Sequence, residues 1–201
     1  MNHFIYPAAA STIYSLKPIQ LLNFGKSEIL ELRTGYSETK GLDVSRILIK
    51  FDIPFNTQNY TDYSDLIFTL SLKITSSPEV TDATRIDVYP ITDSWSEGIG
   101  IGYDADPHYV PVNWLYKKKA TPWESSEESD IEGGGNYYTH IKRCNLPTTE
   151  IGCNYVMEQK TSDIKVDVTD IVKCWVLGDI PNNGFLLKLA TDTSDTLNTS
   201  I

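Results

Sequence analysis

The sequence predicts an all-β fold, a jelly-roll-like antiparallel β-sandwich with one short helix and a long irregular loop region. The first observation is "SRILIKFDIP" at residues 45–54, where apolar and polar side chains alternate. Such alternation is typical of a strand with one buried face. The apolar positions are Ile47, Ile49, Phe51 and Ile53, and the opposite positions are Arg46, Leu48, Lys50 and Asp52. Leu48 is the single apolar exception on the opposite face. We expect a half-buried strand with Arg46 and Asp52 outside its apolar face, where replacing either costs little unless it is paired.

The second observation is that short apolar runs recur between clusters of Asn, Asp, Gly, Ser and Pro. This spacing of strands and turns predicts a sandwich or a barrel. The strands are expected at residues 3–7, 28–34, 46–53, 66–75, 85–92, 163–169 and 184–190. A chain of 201 residues is long enough to bury one sizeable core. We therefore expect a single β-sandwich domain over residues 1–201.

One segment has helical periodicity instead. In "TDIVKCWVL" at residues 169–177, Ile171, Val172 and Trp175 recur at helical spacing behind a Thr or Asp cap. Gly178 follows at the position of a C-terminal stop. The pattern predicts a short helix that packs Trp175 against one edge of the sandwich.

Regular alternation is lost after residue 94, and we expect an irregular insertion over about residues 94–160. A loop of this length in a compact domain is usually functional or contains short strands, and "VPVNWLY" at residues 110–116 is one candidate strand. Exposed aromatic rings on a β scaffold contact glycans or neighbouring chains. The candidate contacts are Tyr103, Tyr109, Trp114, Tyr116 and Trp123. The alternative is that these rings fold inward to form a small core, as we expect of Trp95.

Charge and hydropathy argue against two classes of partner. The net charge is −10 and the isoelectric point is about 4.7, whereas a nucleic-acid partner requires a basic face. The basic run at residues 117–119 lies beside an acidic stretch and is interpreted as a charge-balanced surface loop. No apolar run reaches the roughly 18 residues that span a bilayer, so membrane insertion is not expected.

The beginning of the sequence lacks the basic and apolar regions of a secretory signal. We therefore expect the protein to be made in a cytoplasm, where Cys144, Cys153 and Cys174 are reduced thiols. A disulfide between Cys144 and Cys153 is the alternative.

The residue types that carry catalysis do not form a recognisable constellation. A nucleophile motif is missing, and no metal-ligand spacing relates the three histidines, His3, His108 and His140. Residues 104–107 and 127–132 offer carboxylates that calcium could use, but they lack the spaced-ligand pattern, which favours solvated acidic loops. We expect neither an enzyme nor a bound metal or cofactor.

Four segments, taken in order, resemble the DNRLRE-type domain, a β-sandwich family related to carbohydrate-binding module family 96. These segments are "SRILIKFDIP", "LSLKIT", "RIDVYPITDSWSEG" and "VDVTDIVKCWVLGDIPNNGFLLKL". The matching positions are Arg46, Leu48, Phe51, Asp52, Val88, Tyr89, Ile91, Thr92, Ser94, Trp95, Glu97, Gly98, Asp167, Val168, Thr169, Val172, Trp175, Gly178, Asn183, Gly184 and Phe185. The resemblance covers roughly residues 45–105 and 163–190.

A narrower resemblance is to members of this family encoded by tailed bacteriophages. It rests on "MNHFIYP" at the start, "VSRILIKFD" at residues 44–52, "WSEGIG" at residues 95–100 and "WLY" at residues 114–116. It implies a non-enzymatic virion protein of the tail, neck or capsid surface that contacts other virion proteins as many copies in a symmetric assembly. The alternative is a carbohydrate-binding adhesion module whose partner is a host surface glycan.

The segment "GFLLKLA" at residues 184–190 alternates in a way that predicts a paired strand with both faces covered. In the resembling family a later strand follows it, whereas here the polar "TDTSDTLNTSI" follows. We therefore expect an open sheet edge at this strand. Either the chain is shortened, or a partner strand completes that edge.

Overall fold

The computed structural model is all-β with one short helix, as the sequence predicts. It describes residues 3–37, 41–54, 66–75, 84–102, 111–119, 121–123, 133–142, 148–157 and 163–192. The strands are β1 (Pro7–Tyr14), β2 (Thr34–Ser37), β3 (Gly41–Phe51), β4 (Thr69–Leu72), β5 (Arg85–Pro90), β6 (Tyr116–Lys118), β7 (Thr121–Pro122), β8 (His140–Ile141), β9 (Thr149–Glu150), β10 (Cys153–Val156), β11 (Ile164–Asp167) and β12 (Phe185–Leu189). The helix is α1 (Thr169–Leu177). The jelly-roll arrangement of these strands stays a prediction.

The main sheet has six antiparallel strands in the order β1-β3-β12-β5-β10, and β2 pairs with β3. Three two-stranded sheets are formed by β4 with β11, β6 with β7 and β8 with β9. The strands of the main sheet come from both ends of the chain. The sheet therefore depends on long-range pairing, which the hydrophobic pattern of each strand positions in register.

Both faces of the main sheet are buried. On the first face Ile47 and Ile49 pack with α1, β4 and β11 in the first core. On the second face Leu48 packs with Trp114 and Trp123 from the irregular insertion in the second core. Strand β3 is thus buried on two sides rather than half-buried, because the insertion covers the face that the sequence predicts to be exposed.

Arg46 lies on that second face and is 1% exposed. Arg46 thus lies outside the apolar face of Ile47 and Ile49, as predicted, but the expectation that the opposite face of the strand is exposed is wrong. Asp52, just after β3, is exposed as predicted. The difference arises because Arg46 pairs with the buried Asp192, far along the chain, whereas Asp52 lies beyond the end of β3.

Two strand predictions near the N-terminus are wrong. The expected strand at residues 3–7 begins instead at Pro7 and runs through the small residues of "AAASTIY". Residues 28–33 form no strand because the Ser45 side chain bridges this segment to β3: the Ser45 hydroxyl donates to Glu31 O at 2.7 Å and accepts from Arg33 N at 2.9 Å. Together with one backbone hydrogen bond from Ser45 N to Arg33 O at 3.0 Å, this hydroxyl takes the place of a regular ladder.

The bounds of the predicted helix and its end at Gly178 are confirmed, but the Thr or Asp cap is not, because Val168 lies at the N-cap position and its side chain forms no capping hydrogen bond. Asp167 Oδ1 accepts a hydrogen bond from Thr169 N at 2.9 Å. Hydrogen bonding with the Thr169 side chain, and then with its backbone N–H, lowers the pKa of the Asp167 carboxyl. Gly178 ends the helix with φ of 79°, a conformation that costs a side-chain-bearing residue strain. Trp175 is buried and its ring lies 4.6 Å from that of Phe185.

Strand β12 lies inside the main sheet and not at its edge. It pairs with β3 on one side and with β5 on the other. The expected open edge at residues 184–190 is therefore wrong, and with it the need for a partner strand there. Leu186 enters the second core while Leu187 enters the first, so the prediction that both faces are covered is confirmed.

Candidate functional site

The irregular insertion and residues 16–26 form a layer over the second face of the sheet, which we call the loop layer. Its described parts are residues 16–26, 91–102, 111–119, 121–123 and 133–137. Beyond the short pairing of β6 with β7, the backbone groups of such a layer need other partners. Side chains that are polar and buried provide many of them.

Asn23 is 1% exposed, and its side-chain hydrogen bonds hold the first part of the loop layer. Its Nδ2 donates to Glu97 O at 2.7 Å and to Val112 O at 2.8 Å. Its Oδ1 accepts from Gly100 N at 2.8 Å and from Gly25 N at 3.3 Å. An amide offers two donors and two acceptor lone pairs, so Asn23 satisfies all four at this position.

Asn113 holds the second part of the loop layer in the same way. Its Oδ1 accepts from Leu115 N and from Tyr116 N, both at 2.9 Å. Its backbone oxygen accepts from Trp123 Nε1 at 3.0 Å. Trp123 is thereby positioned in the second core with its polar N–H satisfied.

Arg46 joins the sheet to the loop layer and to the C-terminal end of the described chain. Its Nε donates to Asp192 Oδ2 at 2.8 Å, and its Nη1 donates to Gly134 O at 2.8 Å. The guanidinium also lies 5.2 Å from the centre of the Trp114 ring and 5.9 Å from that of Tyr137. A buried guanidinium requires such pairing because its desolvation is costly.

Two lysine side chains also have polar partners inside the protein. Lys117 Nζ contacts Asp93 Oδ1 at 2.7 Å, and the Lys117 side chain is 8% exposed. Lys188 Nζ donates to Tyr137 Oη at 3.2 Å. The interpretation of residues 117–119 as a surface loop is therefore wrong for Lys117, since this side chain is turned inward to a carboxylate 24 positions earlier.

The candidate contact residues divide into three groups. Trp114 and Trp123 are 3% and 4% exposed, which contradicts surface contact with a glycan or partner and supports the alternative of an inward-folded core. Tyr116 is half-buried at the start of β6. Tyr103 and Tyr109 lie outside the described residues.

Trp95 lies against the second core, as expected. Its Nε1 donates to Asn183 O at 2.8 Å. The bond joins the "SWSEG" segment to the turn before β12. These two segments both carry the family resemblance, and here they are direct neighbours.

Sequence reasoning missed the apolar surface of the loop layer. Ile99 is 75% exposed and Ile101 is 56% exposed, and both belong to residues 97–102, which we call the isoleucine loop. Leu21, on the neighbouring segment, is 53% exposed. The signal in the sequence is the alternation "GIGIG" at residues 98–102.

A shallow groove lies between Gly152 and the start of α1. It has a volume of about 210 Å³ and is lined by Cys153, Asp167, Thr169 and Asp170 among others. Burial, and then the nearby carboxylates Asp167 and Asp170, raise the pKa of the Cys153 thiol to about 12. The thiol is therefore protonated near neutral pH and is a poor nucleophile.

Cys153 is a free thiol, and Cys144, its alternative disulfide partner, lies outside the described residues. Within the described ranges, no group of three or more His, Cys, Asp or Glu side chains is arranged to hold a metal ion. In the same part of the chain, no helix is long and apolar enough to cross a membrane. The polar side chains of the loop layer thus hold its segments together instead of converging on a cleft.

Comparison of the chain with protein-family models, with curated proteins and with solved structures finds no match in any of the three.

Proposed function

We propose that this protein is a non-enzymatic structural protein of a tailed-bacteriophage virion, and that it acts through contacts with other proteins. The observation that carries the protein-contact part is the isoleucine loop. It presents two large aliphatic side chains to solvent on a backbone held by Asn23. Exposed apolar surface marks protein interaction sites where it is contiguous, and these two isoleucines lie two positions apart on one loop.

The polar groups of the loop layer support a structural role. Arg46 makes a buried ion pair, Lys117 makes a partly buried one, and Asn23 and Asn113 form hydrogen bonds with backbone groups. Catalysis requires a group within reach of a substrate and free to exchange a proton. These side chains are instead oriented by fixed internal partners, which favours a scaffold.

The burial of Trp114 and Trp123 argues against the carbohydrate-binding alternative. Sugar recognition on β scaffolds uses exposed ring faces, and these two rings lie in the second core. The assignment to a virion follows the sequence resemblance to phage-encoded proteins, particularly in "MNHFIYP" and "WSEGIG".

The test is quantitative mass spectrometry of purified virions from the phage that encodes the chain. We expect the protein at many copies per particle, after treatment that removes loosely attached host protein. Absence from purified particles would overturn the proposal. A glycan array probed with the purified protein tests the alternative, and specific binding to a sugar would favour the adhesion module.

A further inference from the structure

We propose that Asn183 is a deamidation site that the native fold holds inactive and that unfolding makes reactive, so that prolonged unfolding becomes irreversible. Asn183 and Gly184 form the single Asn–Gly dipeptide of the sequence. Because glycine has no side chain to shield its nitrogen, ring closure onto the preceding asparagine is least hindered in this dipeptide. The inference does not depend on the virion assignment.

The reaction needs only the chain and water. The Gly184 backbone nitrogen attacks Cγ of Asn183, so that a new N–Cγ bond forms and the Cγ–Nδ2 bond breaks. The proton of the Gly184 N–H leaves with Nδ2 as ammonia, and the product is a cyclic succinimide. Water then opens this ring at either of its carbonyl carbons, which gives aspartate or isoaspartate at position 183.

In the native fold the groups that would react are held by other partners. Asn183 Nδ2, the leaving group, donates to Thr92 O at 2.8 Å. Gly184 N, the nucleophile, donates to Asn182 Oδ1 at 3.2 Å. The peptide bond between the two residues is held as well, because Asn183 O accepts from Trp95 Nε1 at 2.8 Å. These hydrogen bonds must break before the nitrogen can approach Cγ, so ring closure requires local opening of the chain.

The dipeptide lies inside the protein, at the start of a central strand. Asn183 is 8% exposed. Gly184 directly precedes β12, which pairs with β3 on one side and with β5 on the other. Gly184 O also accepts from Ile91 N at 2.9 Å. Opening of this segment therefore disturbs the middle of the main sheet, and core strands open at a high free energy.

The fold also explains why a labile dipeptide is present at this position. Gly184 has φ of 94°, and a Cβ there would lie 2.5 Å from Ile49 O on β3. A residue with a side chain would disturb this close contact. At position 183 an amide is needed because Nδ2 donates to Thr92 O, and a carboxylate has no proton to donate. Each residue is thus required in the native state, and their combination is reactive in the unfolded chain.

Deamidation in the unfolded chain damages the native state on refolding. Aspartate at position 183 would place a carboxylate oxygen against Thr92 O, so a hydrogen bond is lost and a charge is buried beside an acceptor. Isoaspartate would lengthen the backbone by a methylene carbon just before β12, which shifts the strand relative to β3 and β5. Unfolding therefore becomes irreversible by chemical modification of the unfolded chain.

The first experiment compares the deamidation rate of the full-length protein folded in buffer with its rate unfolded in guanidinium chloride, at the same temperature and mildly alkaline pH. Trypsin releases Asn183 in the peptide of residues 174–188, and fragmentation mass spectrometry locates the converted amide. We expect the folded protein to react at least about tenfold more slowly, because only locally opened molecules react. A smaller difference would overturn the protection by the fold. Conversion at Asn182 instead of Asn183 would overturn the site.

Two variants separate the chemistry from the fold. Asn183→Gln replaces the reactive side chain by a longer one that closes a larger ring, so the unfolded variant should show no conversion at position 183 over the same time. Asn182→Ala removes the acceptor of Gly184 N and keeps the Asn–Gly dipeptide. It should react faster than the unchanged protein when both are folded, and at the same rate when both are unfolded. Equal rates of the two folded proteins would contradict the restraint on Gly184 N.

Refolding tests the consequence of the modification. Unchanged protein is kept in guanidinium chloride until Asn183 is converted, and it is then diluted into buffer beside protein that was unfolded only briefly. We expect the aged sample to regain a lower melting temperature or to remain unfolded. Asn183→Gln aged in the same way should match its own briefly unfolded sample. Equal melting temperatures of aged and briefly unfolded unchanged protein would overturn the irreversibility, and this comparison requires no variant to fold.

Discussion

Arg46 gives the most direct test of how the loop layer is held to the sheet. The variant Arg46→Met removes the 2.8 Å ion pair to Asp192, whose side chain is 0% exposed, and it removes a donor to Gly134 O. Removing one member of a buried ion pair leaves an uncompensated charge and typically costs about 3 to 5 kcal/mol. We expect the free energy of unfolding, measured by urea titration, to fall by about this amount.

The double-mutant cycle with Asp192→Leu shows whether the cost comes from the pair. The double variant Arg46→Met/Asp192→Leu removes both charges of this pair, so it should be more stable than the sum of the single effects implies, by about 2 kcal/mol or more. Lys50→Met, on the same strand and half-buried, should change stability by about 0.5 kcal/mol or less. A cost below about 1 kcal/mol for Arg46→Met, or strict additivity, would refute the reasoning.

Three further predictions concern other parts of the fold. Phe51 is half-buried and its ring lies 6.2 Å from that of Phe185. Phe51→Ala should therefore lower the free energy of unfolding, measured by urea titration, by about 2 to 3 kcal/mol. An effect no larger than that of Lys50→Ala would show that the buried face is misassigned. Asn23→Ala leaves several buried backbone groups without partners and should cost about 2 to 4 kcal/mol; thermal and urea unfolding equal to the unchanged protein would contradict this role. Because the pKa of Cys153 is raised from 9.0 to about 12, its contribution to stability is present below about pH 9 and is lost as the pH rises toward 12. In urea titrations between pH 8 and 11, the free energy of unfolding should therefore fall more steeply with pH in the unchanged protein than in Cys153→Ala. Iodoacetamide at pH 8 should label Cys153 rapidly only after unfolding.

Elements with strong local periodicity were predictable from the sequence. Strand β3 and helix α1 each carry a pattern that matches only one regular structure, and Gly178 marks the helix end through its backbone freedom. Strand β12 was also predictable as a strand. Its position was not, because pairing with β3 and β5 depends on two segments far away in the chain.

Weak or ambiguous local signals account for the missed strands. The small residues of β1 have little β-propensity, and the strand is stabilised by its pairing with β3. Residues 28–33 have the alternation of a strand, but the Ser45 hydroxyl occupies the backbone groups that a ladder would use. A side-chain competitor of this kind cannot be recognised without the tertiary structure.

The sequence by itself determined that the protein is all-β, where its helix lies and which side chains of β3 are apolar, because these properties depend on neighbours within a few residues. The tertiary structure alone decided what happens to the charged and aromatic groups. Arg46 is buried because Asp192, 146 positions away, lies beside it. Trp114 and Trp123 lie in the core, whereas Ile99 and Ile101 lie on the surface. Burial depends on which segments cover one another, and that coverage is a long-range property of the fold.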